Sequence, residues 1–219
     1  MDRAARRQAI RASTRLQSPR LCPELTLALG DRLMDVWQAA EDAEGKGQLP
    51  SPFWAFAWPG GQALARFVLD HPDVVRDKRV LDFASGCGVS AVAAARAGAA
   101  RVIAADIDPW AAAAIEENAR AAGVEVDIRE DDLVGRDEGW DVVLAGDVCY
   151  RQEWSPGIVR WLRTLAARGA HVLLGDPGRG FTPTQGLNER ARYVLATTVD
   201  VEGAAQREPR VWDVLPDER

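Results

Sequence analysis

Four aspartates of the 219-residue sequence stand where short apolar runs end: Asp82, Asp106, Asp132 and Asp147. If these runs are parallel strands of one sheet, their carboxyl ends meet at a single edge, where ligands bind in such folds. Carboxylates at one edge repel one another unless a ligand or backbone donors engage them. The pattern therefore predicts a ligand that is rich in hydroxyl and amino donors or that carries positive charge.

A turn of small residues, Ala-Ser-Gly-Cys-Gly at 84–88, follows the first of these aspartates. Its two glycines let backbone N–H groups approach a ligand, and the N-terminus of a following helix adds free donors. Asp106 lies 18 positions past Gly88, close to the roughly 20 expected of a ribose-binding acid in a dinucleotide fold. Position 91 is alanine, so G-x-G-x-x-G is incomplete, and no G-x-x-x-x-G-K-[ST] phosphate loop occurs. The turn predicts a nucleotide-type site that suits neither a dinucleotide nor ATP hydrolysis.

Strands and helices alternate through the central part of the chain, which predicts an α/β fold, a three-layer sandwich with a mostly parallel sheet. Apolar runs predict strands over 80–82, 101–105, 124–128, 140–145 and 170–174. Helical patterns predict helices over 31–43, 62–70, 89–97, 109–121 and 156–167. We further expect a short helix over 184–192 and a C-terminal antiparallel hairpin formed by 193–198 and 210–215.

Composition is that of a globular protein with a sizeable core, since 47% of the residues are hydrophobic and the net charge is −6. The acidic balance disfavours nucleic acid as a partner. No apolar run reaches the roughly 18–20 residues that span a membrane. Three distant cysteines and the lack of a secretory segment favour a cytoplasmic protein. A helix-breaking stretch at 44–50 divides the chain into an N-terminal helical arm, 1–48, and a main domain, 49–219.

Two segments each admit two interpretations. The first 20 residues carry six arginines, which predict either a docking arm or a solvated basic helix. The segment 53–62 places four aromatic residues in six positions, directly before Pro-Gly-Gly. It predicts either a buried aromatic staple, to which Phe53 or Phe56 belongs, or a lid over a flat ligand.

Five motifs together resemble one class of enzyme. They are F-W-A-F-A-W-P-G-G-Q-A-L at 53–64, S-G-C-G at 85–88, D-I-D-P at 106–109, D-V-C-Y at 147–150 and G-D-P-G-R at 175–179. With the four-acid edge, they resemble class I, seven-β-strand, S-adenosylmethionine-dependent methyltransferases, and D-V-C-Y matches the D-x-x-Y motif of the lysine-directed family 16. The tryptophan-rich segment joined to G-D-P-G-R resembles the electron transfer flavoprotein β-subunit lysine methyltransferases and their bacterial relatives. The resemblance covers about residues 20–215.

The resemblance implies a Rossmann-like, mostly parallel seven-stranded sheet. It also implies a protein-lysine N-methyltransferase that uses S-adenosyl-L-methionine, needs no metal and acts on the β-subunit of electron transfer flavoprotein, and we expect a monomer. Asp147 and Tyr150 would be the catalytic residues, lining a channel for the lysine. The implied cofactor-binding residues are Trp58, Asp82, Ala84, Ser85, Gly86, Gly88, Asp106, Ile107, Asp132 and Leu133.

The resemblance also assigns roles within that set. The turn at 84–88 would hold the methionine part of the cofactor, with Trp58 beside it. Asp106 would bind the ribose hydroxyls and Asp132 the adenine amino group. Ala84 departs from the family, which often has glycine there, so cofactor binding is expected to survive in weakened form.

Three other functions remain open from the sequence. A small-molecule, nicotinamide-like N-methyltransferase would share the cofactor site; a closed aromatic acceptor pocket would favour it, whereas an open acidic channel would favour protein lysine. An interaction module that has lost catalysis is disfavoured by the intact aspartates. A nucleic-acid methyltransferase would need a basic face and an Asn/Asp-Pro-Pro-aromatic motif where this chain has D-V-C-Y.

Overall fold

The computed structural model describes residues 1–217, so the last two residues of the predicted 49–219 domain lie outside the described range. The N-terminal part contains α1 (Arg3–Ser13), β1 (Arg15–Gln17), β2 (Leu27–Leu29) and α2 (Leu33–Glu44). The central part contains a 3₁₀ turn (Phe53–Ala55), α3 (Pro59–Asp70), a second 3₁₀ turn (Pro72–Val74), β3 (Arg79–Phe83), α4 (Val89–Arg96), β4 (Arg101–Ala105), α5 (Pro109–Ala122), β5 (Asp127–Arg129), β6 (Val142–Gly146), α6 (Ser155–Ala167) and β7 (His171–Asp176). The C-terminal part contains β8 (Leu187–Arg192), β9 (Leu195–Ala196), α7 (Val199–Glu202), β10 (Gln206–Arg207) and β11 (Arg210–Val214). Within residues 1–217, none of the helices combines the length and the apolar content that crossing a bilayer requires.

The main sheet has seven strands in the order β5–β4–β3–β6–β7–β11–β8. The first five are parallel, whereas β11 runs antiparallel to both β7 and β8. Alternate residues of β3 enter two different cores: Leu81 packs in the cluster that contains α6, and Val80 in the cluster that contains residues of α3, α4 and α5. Helices therefore cover both faces, which confirms the predicted three-layer α/β sandwich with a mostly parallel sheet.

The expected C-terminal hairpin is present, but its first strand differs from the prediction. Strand β8 pairs with β11, so the helix predicted over 184–192 is wrong. Strand β9 instead pairs with β10 in a separate two-stranded ribbon. Long straight side chains such as Glu189 and Arg190 favour a helix locally. In the sheet they form ion pairs across to Arg210 and Asp213 of β11, and these contacts, together with the backbone ladder, override the local preference.

Helix α1 packs against α5 through apolar and ionic contacts. Ile10 is fully buried and belongs to a cluster with Trp54 and Trp110. Arg7 and Arg11 both form ion pairs with Glu117 of α5. Each arginine of α1 contacts a carboxylate of the same chain, so the basic charge of this helix is paired internally. The domain boundary after residue 48 stays a prediction.

Asn118 joins three elements and provides a test of the fold. Its side chain is fully buried, donates from Nδ2 to the Cys87 carbonyl (2.8 Å) and accepts from the Ala28 amide (2.6 Å). Asn118→Ala leaves both backbone groups buried without this partner, so we expect the free energy of unfolding in urea to fall by about 3 kcal/mol. Asn188→Ala, at an exposed position of β8, is the control and should change it by less than about 0.5 kcal/mol. Equal values for the two variants would contradict this role.

Candidate active site

Strand β3 carries Asp82 into the interior and ends in the small-residue turn. The Asp82 side chain is 2% exposed, and its Oδ2 accepts hydrogen bonds from the Ser85 hydroxyl and from the Ala91 amide (3.0 Å). Burial raises the pKa of Asp82 to about 7. These bonds attach the turn to the first residues of α4, so Asp82 shapes the turn as well as bordering the cavity beside it.

The turn contains three residues in the left-handed backbone region: Ala84 (φ 53°), Gly86 (φ 55°) and Gly88 (φ 79°). Glycine adopts such angles freely, whereas alanine costs about 1–2 kcal/mol there. This cost gives a physical reason for the glycine that the family often has at position 84. A Cβ atom placed on Gly86 would have as its nearest neighbour the Phe53 carbonyl oxygen at 3.9 Å, so the turn leaves room for a ligand.

Asp106 follows β4 and is anchored by two backbone donors. Its Oδ2 accepts from the Gly86 amide (2.9 Å), and its Oδ1 accepts from the Asp108 amide (3.0 Å). Burial raises the pKa of Asp106. Asp108 in turn caps α5 by accepting from the Trp110 amide (2.9 Å), and burial raises its pKa to about 6. Each Asp106 oxygen retains further lone-pair capacity, which suits a pair of neighbouring hydroxyl donors.

The remaining predicted cofactor-binding residues lie farther along the same edge of the sheet. The Ile107 side chain is 72% exposed. Asp132 is also exposed, and its Oδ1 accepts from the Val134 amide (2.9 Å). The Leu133 side chain is fully buried in the core on the α6 side of the sheet, so only its backbone can face a ligand.

Asp147 follows β6 in a left-handed conformation (φ 56°) and has partners on both carboxylate oxygens. Its Oδ2 accepts from the Gly61 amide at the start of α3 (2.9 Å), and its Oδ1 accepts from Arg179 Nη2 (3.0 Å) and Nε (3.3 Å). The side chain is 11% exposed. Burial raises the pKa of Asp147 to about 7 although the Arg179 cation opposes the rise.

Close backbone approach brings α3 onto the sheet at this point. A Cβ atom on Gly60 would collide with the carbonyl oxygen of Gly175, and one on Gly146 would lie 3.0 Å from the Gly61 backbone. Only glycine fits these positions without displacing backbone. The glycines of the P-G-G segment and those at the ends of β6 and β7 therefore determine the position of the start of α3. From this position the Gly61 amide donates to Asp147.

Aromatic rings form a wall beside Asp147, which we call the aromatic wall: Phe53, Trp58 and Tyr150. Phe53 makes edge-to-face contacts with Trp58 (centroids 5.5 Å apart) and with Tyr150 (5.8 Å). The Trp58 Nε1 donates to the Phe53 carbonyl (2.8 Å). Tyr150 is 38% exposed, and partial burial raises the pKa of its hydroxyl. The wall therefore opens towards solvent at Tyr150.

The structure bears out the staple interpretation of the aromatic segment, whereas the lid over a flat ligand stays a prediction. Trp54 is buried and stacks on Trp110 of α5 (centroids 5.2 Å apart), and Phe56 is buried in the same cluster. These two form the staple. Phe53 is 39% exposed and belongs to the aromatic wall instead.

One cavity of about 40 Å³ brings several predicted residues together. It is lined by Trp58, Asp82, Ala84, Ser85, Gly86 and Asp147, among others. Gly88, Asp106, Ile107, Asp132, Leu133 and Tyr150 lie outside its lining. Phe56 and Trp58 separate it from a larger cavity of about 500 Å³ between β1, β2 and the 195–202 segment.

Three further residues, to which the sequence assigned no role, lie around Asp147: Asp176, Arg179 and Glu202. Together with Asp147 and the aromatic wall, they form what we call the acceptor side. Asp176 is fully buried, and its Oδ1 accepts from the amides of Gly178 (2.8 Å) and Arg179 (2.7 Å). Glu202 accepts from Arg179 Nη2 (3.3 Å). The D-P-G-R part of the quoted motif contains the turn, but nothing in the sequence pairs Arg179 with carboxylates 32 and 23 positions away.

Sequence comparisons find relatives along most of the chain. The profile of the ribosomal protein L11 methyltransferases matches residues 63–147. The electron transfer flavoprotein beta subunit lysine methyltransferase of Xenopus laevis is 36% identical over 217 residues, which cover 96% of this chain and 87% of the relative. The Homo sapiens protein of the same name is 36% identical over 203 residues, which cover 90% of this chain and 76% of the relative. The resemblance inferred from the motifs is confirmed.

Solved structures share the fold at lower sequence identity. Magnesium protoporphyrin IX methyltransferase from Synechocystis, solved with bound SAM, has a TM-score of 0.51 at 17% identity and covers 68% of this chain and 76% of its own. TrmN from Thermus thermophilus has a TM-score of 0.52 at 21% identity and covers 83% of this chain and 66% of its own. These likenesses confirm the Rossmann-like fold.

The motifs, the fold and the near full-length relatives agree with one another. Two of these relatives are each 36% identical to this chain over 90% or more of its length. The chain is therefore a methyltransferase and belongs to the family of the electron transfer flavoprotein β-subunit lysine methyltransferases.

Proposed function

We propose that this chain methylates lysine ε-amines of the electron transfer flavoprotein β-subunit, with S-adenosylmethionine as the methyl donor. The observation that carries the proposal is Asp147, a buried carboxylate beside the aromatic wall and next to the glycine turn. Relatives from several vertebrates, at 35–37% identity, carry the name of this activity. The cytoplasmic location and the monomeric state stay predictions.

The residues present fit the cofactor. S-adenosylmethionine supplies an electrophilic methyl group on a positively charged sulfur. Asp106 offers lone pairs for two hydroxyl donors, and the strained turn at 84–88 exposes backbone to a ligand. Asp82 borders the cavity between the turn and Trp58, where a carboxylate suits a cationic group. Asp132 lies exposed farther along the edge and is available to an amino group.

The acceptor side of the site binds and orients the amine. Asp147 attracts the incoming ammonium and then accepts a hydrogen bond from the neutral amine, which directs the nitrogen lone pair. The aromatic wall excludes water from that nitrogen, and desolvation lowers the pKa of the lysine from its usual value of about 10.4. Alignment and desolvation thus account for the chain's contribution to in-line methyl transfer.

The shape of the acceptor side supports a protein substrate over a nicotinamide-like molecule. Phe53 and Tyr150 are each more than one third exposed, so the wall leads from Asp147 to the surface. Aromatic rings that reach the surface in this way suit a long side chain presented by another protein. A flat small molecule would instead need rings on opposite sides of an enclosed pocket.

Direct methylation tests the proposed function. The purified chain, S-adenosylmethionine and the electron transfer flavoprotein of the same organism should yield a β-subunit whose intact mass rises by one or more methyl groups. Peptide mapping should place the added mass on lysine. Transfer to nicotinamide with no change in the flavoprotein would contradict the proposal and favour the small-molecule alternative.

Asp147→Asn tests the acceptor role separately from cofactor binding. Because the variant keeps the shape but loses the charge, we expect kcat/KM to fall by about 100-fold or more. The affinity for S-adenosylmethionine, measured by calorimetry, should change by less than about threefold. Asp73→Asn, at a side chain that is 90% exposed, serves as the control and should retain full activity. Wild-type turnover in Asp147→Asn would rule out the role assigned to this carboxylate.

Asp106→Asn tests the cofactor side. The variant removes a charged acceptor from two hydroxyl donors, and a charge-assisted hydrogen bond contributes roughly 1.5–3 kcal/mol. The dissociation constant of S-adenosylmethionine should therefore rise by about 10-fold to 100-fold. Asp127→Asn, on the exposed edge strand β5, should leave it unchanged. An unaltered dissociation constant in Asp106→Asn would show that the ribose is held elsewhere.

A further inference from the structure

Arg179 lies at the centre of the acceptor side and contacts two acids and one aromatic ring. Its Nη2 lies 3.0 Å from Asp147 Oδ1 and 3.3 Å from Glu202 Oε1, and its Nε also donates to Asp147 (3.3 Å). Its guanidinium carbon lies 5.7 Å from the centre of the Trp58 ring. The side chain is only 21% exposed, so these contacts are shielded from solvent.

The turn that precedes Arg179 holds it in this place. Asp176 accepts hydrogen bonds from the Arg179 amide, from the Gly178 amide and from the Thr182 hydroxyl (2.8 Å). Gly178 has a φ of 87°, a conformation that favours glycine. The end of β7 therefore directs Arg179 towards Asp147 before any ligand arrives.

The acids around Asp147 and Arg179 explain why a cation is needed to keep Asp147 ionised. Asp176 faces Asp147 from the end of β7, and Glu202 faces Arg179 from α7. From α3 the facing group is the Gly61 amide, which donates but carries no full charge. Two thiols near Asp147, Cys87 and Cys149, are kept neutral because burial raises the pKa of each to about 12.

Without the guanidinium, Asp147 would face other acids in a shielded site. Its pKa, already raised to about 7 by burial with the cation present, would rise further. A protonated Asp147 neither attracts an ammonium nor accepts the same hydrogen bond from an amine. Loss of the cation would therefore lower methyl transfer at neutral pH.

We propose that Arg179 is a positioning residue for methyl transfer, which keeps the Asp147 carboxylate ionised and oriented towards the lysine amine. This inference rests on the proposed function, since it assigns Asp147 to the acceptor. Arg179 does not touch the reacting atoms; it acts through Asp147. Its contact with Glu202 also links the acceptor side to the 195–207 segment that interrupts the hairpin.

Arg207 provides a matched control for the structural part of this role. It donates to Glu202 Oε2 (3.1 Å) and to the Glu202 carbonyl, as a second arginine on the same acid. Its contacts are with Glu202 and not with Asp147. Arg207→Gln thus disturbs the 195–207 segment without removing the cation from Asp147.

The dependence of kcat/KM on pH separates the loss of the cation beside Asp147 from a structural disturbance of the 195–207 segment. Transfer needs an ionised Asp147 and a neutral amine, so log kcat/KM should rise with a slope of two below the pKa of Asp147 and a slope of one above it. The pH at which the two slopes meet, here called the break, marks the pKa of Asp147. In Arg179→Gln this break should move to higher pH by about one unit or more. The variant should therefore lose about fivefold or more of its kcat/KM near pH 7 and recover most of this loss near pH 9. Arg179→Lys keeps the charge and should keep the break near its wild-type position, with a lower kcat because lysine cannot form the planar fork.

Arg207→Gln should leave the break unchanged. An equal loss at every pH in Arg179→Gln, or an equal shift in Arg207→Gln, would overturn the proposal. In the Asp147→Asn background, adding Arg179→Gln should cause no further loss of kcat/KM, because its effect passes through the missing carboxylate.

A direct titration decides the proposal independently of the substrate. NMR of protein labelled at the aspartate carboxyl carbons, with S-adenosylhomocysteine bound, follows Asp147 through the resonance that disappears in Asp147→Asn. Its midpoint should lie at higher pH in Arg179→Gln and stay in place in Arg207→Gln. An unmoved midpoint in Arg179→Gln would refute the role of Arg179, whereas an inactive wild-type enzyme with a moved midpoint would refute only the proposed function.

Discussion

Buried carboxylates that accept backbone N–H groups are the interaction on which this site depends. It occurs at four strand ends along one edge of the sheet: Asp82 with the Ala91 amide, Asp106 with the Gly86 amide, Asp147 with the Gly61 amide and Asp176 with the Gly178 amide. Each bond joins a strand end to a turn or to the start of a helix. Because an isolated buried carboxylate is costly, these donors are what allow several acids to remain near one another. The same bonds determine where the surrounding loops lie.

The acids then serve two purposes at once. The oxygen that accepts a backbone donor fixes the loop, and the lone pairs that remain face the ligand. In Asp106 both oxygens are anchored, which orients the carboxylate towards neighbouring hydroxyl groups. In Asp147 one oxygen is held by a helix start and the other by Arg179, so its charge depends on a partner from a distant part of the chain.

Much of the fold could be predicted because the parallel strands are nearly continuous apolar runs whose ends carry acids. Strand order then brings Asp82, Asp106 and Asp147 to one edge without further information. The prediction failed over 184–192, where Glu189 and Arg190 also form ion pairs across the sheet with residues of β11. Local propensity favours a helix there, and no pattern within the segment indicates β11 as its neighbour. Arg179 was missed for a related reason, since its role arises from acids brought close by tertiary structure.

The contact between α3 and the strand ends determines how the enzyme can move. Gly60 and Gly175 approach so closely that even a methyl group has no room between them. Two elements in such contact cannot slide past each other without opening a void, so α3, β6 and β7 behave as one rigid body. Accommodation of a substrate must therefore come from side-chain rotation and from the loops after β6 and β7. Those motions are local and fast compared with domain closure.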